Sequence, residues 1–285
     1  MVRGECESAA QIERVMSRFC VEGVGWGVLG EEEDGDQDGD DNDNANEEAK
    51  YYFYIQSFFP IRPPTISNMV TLAHRLAIFH TKSAEKFQDL TANQCPRGTY
   101  FGYHVPTHNG HLAQDNTWTS TWEEYFTRNM KTMLDHDEKA GGPRSREVEE
   151  LLSPLFDKVI PRLLRPMEMN GRKVQPVFCH GDLWAGNVGI REDGELVVFD
   201  PGCFWGHAEC KIVHSKGGDR AINLHYLGIL ETTLIAYTTD DLRTLDEEQR
   251  NAYLQYGPPT YPEDDFEARI MLYHLCVLFP LFPIL

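Results

Sequence analysis

The chain has 285 residues, of which 41% are hydrophobic and 25% charged, a balance typical of a globular protein rather than a disordered one. Its formal net charge is −19, from 26 basic and 45 acidic residues, which argues against a nucleic-acid partner because phosphate neutralisation needs clustered Lys and Arg. A single nucleotide remains compatible with this charge, since Mg²⁺ and a few backbone donors can hold its phosphates.

Seven cysteines are scattered along the chain without a CxxC pair. This disfavours a disulfide framework and a structural zinc site, and favours reduced thiols in a cytosolic or nuclear protein. The N-terminus has no apolar signal core, and the apolar residues 275–285 are too short and too interrupted by Pro280 and Pro283 to cross a bilayer. The sequence therefore predicts a cytoplasmic protein without a membrane partner.

The first sixty residues combine one helical pattern with two strand patterns. Residues 5–18 have the apolar spacing of a helix, and residues 24–29 have that of a short strand. The aromatic residues 51–59 predict a second strand, which ends at Pro60.

An acidic stretch separates the two predicted strands. Residues 31–48 contain eleven acidic residues and no large apolar one, which predicts a disordered loop. An EF-hand is the alternative, because alternating aspartates followed by Gly39 match the first half of a calcium loop. However, Ala45 stands where the closing Glu belongs, and no amphipathic helices flank the stretch.

The remainder of the chain is mainly helical by pattern. Apolar spacing predicts helices over residues 67–81, 119–136, 146–164, 222–238, 246–256 and 264–279. Short strands are predicted at 175–179, 189–190 and 196–200, and a loop at 95–115. This order predicts an α+β fold, with a small mixed N-terminal part and a larger helical part that holds one β-hairpin in its middle.

The most informative segment is 177–200, VFCHGDLWAGNVGIREDGELVVFD. An apolar strand ends at His180, a glycine turn leads to Asp182, Asn187 comes five residues later, and a second apolar strand ends at Asp200. Phosphoryl transfer needs a carboxylate near the attacking hydroxyl and oxygen ligands for Mg²⁺. The pattern predicts that Asp182 orients or deprotonates the acceptor, that Asn187 and Asp200 bind Mg²⁺, and that His180 braces the loop.

A purely structural interpretation of the same residues is open at this point. A single Asp or Asn in a loop is usually a turn former or a cap, and HGD alone occurs by chance. The complete order of strand, HGDxxxxN, hairpin, apolar strand and Asp favours the catalytic interpretation, because it follows the arrangement of a kinase catalytic loop.

At HGDLWAGN the sequence resembles the fructosamine kinase family, a branch of the aminoglycoside phosphotransferase and choline kinase group. The strand that ends in DP at 200–201 and the G-H-x-E at 206–209 resemble the family's downstream elements. Upstream likenesses are LAIFH at 76–80, FGYHV at 101–105 and the Q-D-N-x-W at 114–118. The resemblance covers nearly the whole chain, and the chain is similar to fungal members of the family.

The resemblance implies a protein-kinase-like fold of two lobes and an enzyme that uses ATP and Mg²⁺. Such an enzyme phosphorylates the 3-hydroxyl of ketoamine sugars on glycated proteins or small amines. Asp182 would be the base, with Asn187 and Asp200 as metal ligands. Trp184 and His180 are assigned to the substrate site, because an aromatic face suits the C–H face of a sugar, although a packing role for Trp184 is equally compatible.

The resemblance also divides the chain into lobes. Residues 1–60 would form a partial N-lobe and residues 61–285 a C-lobe that contains the catalytic loop, 178–200. Adenine is expected to meet the backbone of the hinge between them, formed by Ser57, Phe58 and Phe59.

Glu5, in the stretch GECES, resembles the helix Glu that pairs with a strand Lys on the ATP phosphates in this fold. Only three residues precede Gly4, and Lys50 lies after the helix, so the sequence predicts an incomplete N-lobe. Residues 210–220 also depart from the family's pattern. Two rivals therefore stay open: a pseudokinase or binding scaffold, and a kinase for another small hydroxylated substrate such as choline or an aminoglycoside.

Overall fold

The computed structural model describes residues 1–30, 51–211 and 248–278. The acidic stretch 31–48, with its EF-hand alternative, and the helix predicted over 222–238 lie outside the described residues. The architecture is α+β, as the sequence predicts. Within the three described ranges, no helix has both the length and the apolar character needed to span a membrane.

The N-terminal part consists of one helix on a two-stranded sheet. Helix α1, Val2–Val15, contacts β1, Gly23–Leu29, and β2, Tyr51–Gln56, which pair antiparallel. The helix predicted over 5–18 is confirmed, but its bounds are wrong at both ends. It stops at Val15 because the backbone becomes extended at Met16, with φ −148°.

The predicted strand 51–59 is too long by three residues, since β2 ends at Gln56. Beyond it, the backbone N–H of Ser57 donates to the carbonyl of Glu22, 2.9 Å away, which holds this turn against the start of β1. The chain then enters a short strand, β3, Ile61–Arg62.

Helix α2, Ile66–Thr91, begins with a capping box in which Thr65 and Asn68 exchange hydrogen bonds. The predicted helix at 67–81 is confirmed, but the structure extends it by ten residues. The polar run TKSAEK masks the continuation, which is stabilised by tertiary burial of residues such as Phe87, only 4% exposed.

The predicted loop at 95–115 contains a hairpin that the sequence analysis missed. Its strands are β4, His108–Asn109, and β5, Leu112–Ala113. The two loop residues are Gly110 and His111, and Gly110 has the left-handed φ of 56° that the first position of a two-residue hairpin loop requires.

The helical part continues with α3, Trp122–Gly141, α4, Arg146–Pro154, and α5, Ile160–Leu164. The helices predicted at 119–136 and 146–164 are confirmed in kind. A π-helical turn, Leu155–Val159, joins α4 to α5. It lies between Pro154 and Pro161, neither of which can donate a backbone hydrogen bond, so regular i→i−4 pairing is interrupted there.

Four short strands build the centre of the molecule: β6, Val177–Cys179; β7, Val188–Arg191; β8, Leu196–Val198; and β9, Phe204–Gly206. β7 and β8 form an antiparallel sheet with β3, in the order β3-β7-β8. β6 and β9 form a separate antiparallel pair. The predicted hairpin is therefore confirmed. The strand predicted to run to Asp200 stops at Val198, and Asp200 has a left-handed φ of 54°.

The C-terminal part packs on this centre. Residues 248–254 are helical, and α6, Phe266–Leu278, follows them, which confirms the helices predicted near 246–256 and 264–279 as far as the structure describes them. Buried aromatic rings join α3, β6, β9 and α6 into one core: Trp122, Tyr125, Phe178, Trp205 and Tyr273.

Candidate active site

The loop after β6 is shaped by a glycine. Gly181 has a φ of 91°, a left-handed conformation that side chains disfavour. A Cβ at this position would also lie 1.9 Å from the carbonyl oxygen of Gly202. The HGD turn thus crosses the chain that follows Asp200 at a distance that only glycine permits.

Asp182 and Asn187 are joined directly across this loop. The side-chain amide of Asn187 donates to the backbone carbonyl of Asp182 at 2.8 Å and to its carboxylate at 3.2 Å. The backbone N–H of Phe199 donates to the carbonyl of Asn187 at 3.1 Å, which ties the loop to the end of β8. Because the amide nitrogen of Asn187 makes both bonds to Asp182, its amide oxygen is the atom left for a cation.

Asp182 and Asp200 line the same cavity. Its volume is about 240 Å³, and it is also lined by Met1, Glu5, His108, Gly110 and Pro201. The left-handed backbone at Asp200 departs from the strand direction of β8 just before Pro201. The structure therefore brings together Asp182, Asn187 and Asp200, the three oxygen-bearing residues that the HGDxxxxN…D pattern predicts.

The electrostatics of this cavity favour a bound cation. Burial, and then the charge of Asp200, raises the pKa of Glu5 to about 7, while the N-terminal amino group acts in the opposite direction. Burial also raises the pKa of Asp200. Raised carboxyl pKa values mean that negative charge is poorly compensated here, and a cation would relieve that cost.

The donor set fits Mg²⁺, which prefers hard oxygen ligands and commonly takes one or two carboxylates together with phosphates and water. Asn187 and Asp200 can supply an amide and a carboxylate oxygen beside Asp182. No group of three or more His, Cys, Asp or Glu side chains that could hold a metal occurs within residues 1–30, 51–211 and 248–278. Asn187 and Asp200 would supply two of the ligands, which suits a metal shared with phosphate oxygens.

The β4–β5 hairpin is a wall of this cavity that the sequence analysis did not identify. Its anchor is Gln114, whose side-chain amide donates to the carbonyl of Gly202 at 2.8 Å and to the hydroxyl of Thr107 at 3.1 Å. That hydroxyl donates in turn to the carbonyl of Cys203 at 3.0 Å. Gly110 is the signal that could have located the hairpin, but only tertiary contacts place His108 and Asp182 in the same cavity lining.

Two residues assigned to the substrate site lie outside the cavity lining. His180 is 1% exposed, and its Nδ1 accepts a hydrogen bond from the backbone N–H of Asp182 at 3.3 Å. This contact supports a bracing role, whereas the burial gives no support to a substrate contact. Trp184 is 39% exposed, and its indole covers Gly186 within the loop.

The predicted hinge is also separate from the cavity lining. Phe58 is 92% exposed, and the ring of Phe59 lies 4.4 Å from the guanidinium of Arg191. Ser57 uses its backbone N–H for the bond to Glu22. The structure therefore brings Glu5 to Asp182 and Asp200, but not Ser57, Phe58 or Phe59.

Comparison with protein families gives one match. A sequence model described as fructosamine kinase matches residues 2–217, which is 216 of the 285 residues.

Curated relatives match over a shorter segment. The mouse protein named ketosamine-3-kinase is 40% identical over 113 residues, which is 39% of this chain and 34% of the mouse protein. The Arabidopsis thaliana protein named protein-ribulosamine 3-kinase, chloroplastic, is 30% identical over 115 residues, or 38% of this chain and 31% of the relative. The matched segments thus span about a third of these relatives.

Two solved bacterial structures named after fructosamine-3-kinase share the fold. The protein from Thermobifida fusca YX-ER1 has a TM-score of 0.58 and 22% identity, over 99% of this chain and 74% of that one. The protein from Haemophilus somnus 129PT has a TM-score of 0.58 and 16% identity, over 98% and 72% of the two chains.

Proposed function

Because this chain belongs to the fructosamine kinase family, we propose that it is an ATP- and Mg²⁺-dependent kinase that phosphorylates the 3-hydroxyl of ketoamine sugars on glycated amines. The observation that carries this proposal is the shared cavity of Asp182 and Asp200, with Asn187 bonded to the Asp182 carboxylate. The names of the mouse and plant relatives support the ketoamine as acceptor.

In the proposed reaction, Asp182 orients the acceptor hydroxyl and takes its proton as the hydroxyl oxygen bonds to the γ-phosphorus of ATP. The bond from that phosphorus to the bridging oxygen breaks, and ADP leaves. Asn187 and Asp200 would hold Mg²⁺, which when bound supplies charge neutralisation for the phosphates. His180 and Gly181 keep the Asp182 backbone in place. Little covalent chemistry is needed from the protein, since phosphoryl transfer depends mainly on position and charge.

The nucleotide side of the proposal rests on two features. Glu5 lies in the cavity with both aspartates, as expected for the helix Glu of a kinase-like site. The proposed lobes are residues 1–60 and 61–285, and the segment that connects them follows β2 and contains Ser57, Phe58 and Phe59. We assign adenine binding to this hinge segment from its position in the chain alone. A cytoplasmic location is part of the proposal, and its support is that the six described cysteines form no disulfide.

The test is phosphorylation of ribulosyl-lysine or fructosyl-lysine by the full chain, followed by mass spectrometry with Mg-ATP present. Replacing Asp182 by Asn should lower the rate about 10²- to 10⁴-fold, the usual contribution of a general base. The matched control is Asp193→Asn, in the exposed turn between β7 and β8, which should keep the parent rate.

Equal turnover by the Asp182→Asn variant and the parent would remove Asp182 from the mechanism. Binding of Mg-ADP without any turnover of either ketoamine would favour the rival interpretation as a binding protein. Turnover of choline or an aminoglycoside instead would keep the kinase chemistry but change the acceptor.

A further inference from the structure

The proposed reaction assigns no role to one polar side chain that lines the cavity. His108, at the start of β4, lines the cavity together with Asp182 and Asp200. The other side chains of this lining are the carboxylate of Glu5, the aliphatic ring of Pro201 and the Met1 side chain. Among the cavity-lining side chains that the structure describes, His108 alone offers a nitrogen as a hydrogen-bond partner.

The backbone of His108 is held firmly against the catalytic segment. A Cβ on Gly202 would lie 1.9 Å from the carbonyl oxygen of His108, so the hairpin and the residues after Asp200 are in close contact. Gln114, the residue after β5, strengthens the same contact through its 2.8 Å bond to the carbonyl of Gly202. The imidazole is thus carried by a rigid support whose position is fixed relative to Asp200.

One ring nitrogen of the His108 imidazole makes no hydrogen bond to the described part of the protein. Nδ1 of His108 is buried and has no hydrogen-bond partner among the described residues. A buried polar atom without a partner costs about 1–3 kcal/mol, so such atoms are usually satisfied by a ligand or water. The other polar side chains of this lining are carboxylates, which when ionised accept hydrogen bonds from hydroxyl groups but donate none.

The charge state of His108 suits a neutral ligand. Its pKa is lowered, first by burial and then by the positive charges of the N-terminal amino group and His136. A neutral imidazole has one donor and one acceptor nitrogen, which matches a polyhydroxyl compound better than a phosphate.

We propose that His108 is a substrate-binding residue that hydrogen-bonds the acceptor sugar and orients its reacting hydroxyl toward Asp182. The inference rests on the proposed function, since it assigns the acceptor to the wall of the cavity formed by the β4–β5 hairpin. The proposed function assigns the nucleotide and Mg²⁺ to the side of Asn187 and Asp200. His108 therefore contributes to ketoamine affinity and not to nucleotide affinity.

The test is a comparison of two dissociation constants by isothermal titration calorimetry on the full chain. Fructosyl-lysine is titrated in the presence of Mg-ADP, which prevents turnover, and Mg-ADP is titrated alone. His108→Ala should weaken fructosyl-lysine binding about tenfold, as expected for one lost hydrogen bond to a ligand, and leave Mg-ADP binding unchanged within about twofold.

Two further variants distinguish a role of His108 in ligand binding from a role in maintaining the structure. His111→Ala changes the exposed residue at the tip of the same hairpin, outside the cavity lining, and should change neither constant. His108→Gln keeps a donor and an acceptor at similar reach and should recover part of the lost affinity. A structural role for His108 would instead weaken both ligands together.

The failures are distinguishable. If the parent and His108→Ala bind fructosyl-lysine equally well, the assignment of His108 is wrong while the proposed function stands. If both ligands lose affinity equally in His108→Ala and His108→Gln, the residue is structural and the assignment is again wrong. If the parent binds Mg-ADP but no ketoamine, the proposed function fails, and this inference fails with it.

Discussion

At the scale of single residues, the site depends on two backbone conformations that most residues avoid. Gly181 and Asp200 both have positive φ, 91° and 54°. Gly181 adopts it at little cost, and Asp is among the residues that tolerate it best. These two positions turn the chain out of β6 and β8, so that the carboxylates at 182 and 200 reach one cavity instead of following their strands.

We expect Gly181→Ala to destabilise the protein by about 2 kcal/mol or more, from the unfavourable φ together with the collision against Gly202. Gly194→Ala is the matched control, because Gly194 has a similar φ of 84° but nothing within 4 Å of an added Cβ. Urea unfolding followed by circular dichroism measures both. If both variants lost the same free energy of unfolding, the added Cβ at position 181 would not collide with Gly202 at any cost in stability.

At the scale of elements, a buried ion pair fixes the last helix to the strand region. Arg269 of α6 is 0% exposed at its side chain and lies 2.7 Å from the carboxylate of Glu209, which follows β9. Arg269 also donates to the carbonyls of Thr260 and Pro262. Beside this pair, the imidazole of His207 bonds to the hydroxyl of Tyr273 at 2.8 Å. The G-H-x-E element is therefore a structural clamp between β9 and α6.

We expect Arg269→Met to lower the free energy of unfolding by about 3–5 kcal/mol, because Glu209 would be left buried without its cation. The control is Arg162→Met, which removes an exposed arginine from its pair with Asp265 in the same region and should have little effect. Urea denaturation of the two variants and the parent gives the comparison. Similar midpoints for all three would contradict a structural role for the clamp.

At the scale of the whole molecule, the burial of Glu5 and the burial of His207 have opposite effects on how stability depends on pH. The pKa of Glu5 is raised to about 7, so between pH 4.5 and 7 the folded state binds more protons than the unfolded state, and stability rises as pH falls. The pKa of His207 is lowered to about 4, chiefly by burial, so between pH 6.5 and 4 the unfolded state binds more protons, and stability falls as pH falls. The two slopes oppose each other.

We expect the Glu5→Gln and His207→Gln variants to separate these slopes between pH 6.5 and 4.5. Without Glu5, stability should fall more steeply on acidification than in the parent, by about 1 kcal/mol after allowance for solvent screening of this half-exposed group. Without His207, the fall should be smaller than in the parent by about 2–3 kcal/mol. Urea midpoints at several pH values measure both, and parallel pH profiles for the parent and both variants would exclude these two groups as the cause.

The sequence by itself determined the local structure of the segment to which we assign the chemistry. The HGDxxxxN pattern, the apolar strands around it and the final Asp are neighbours along the chain, so their spacing already indicates the β7–β8 hairpin and the residues Asp182, Asn187 and Asp200. The helical pattern of 67–81 was likewise readable, because its apolar face has the helical period.

Only the tertiary structure decided which distant residues share the cavity. Glu5 and His108 are brought to Asp182 by the packing of α1 and of the β4–β5 hairpin against the Gly202 segment. The last ten residues of α2 lack a clear apolar period, and their packing as a helix is evident only from the burial of Phe87 in the core. Periodicity describes neighbours in sequence, whereas a site is made by contacts between segments that are far apart in the chain, and those contacts depend on the packing of the complete core.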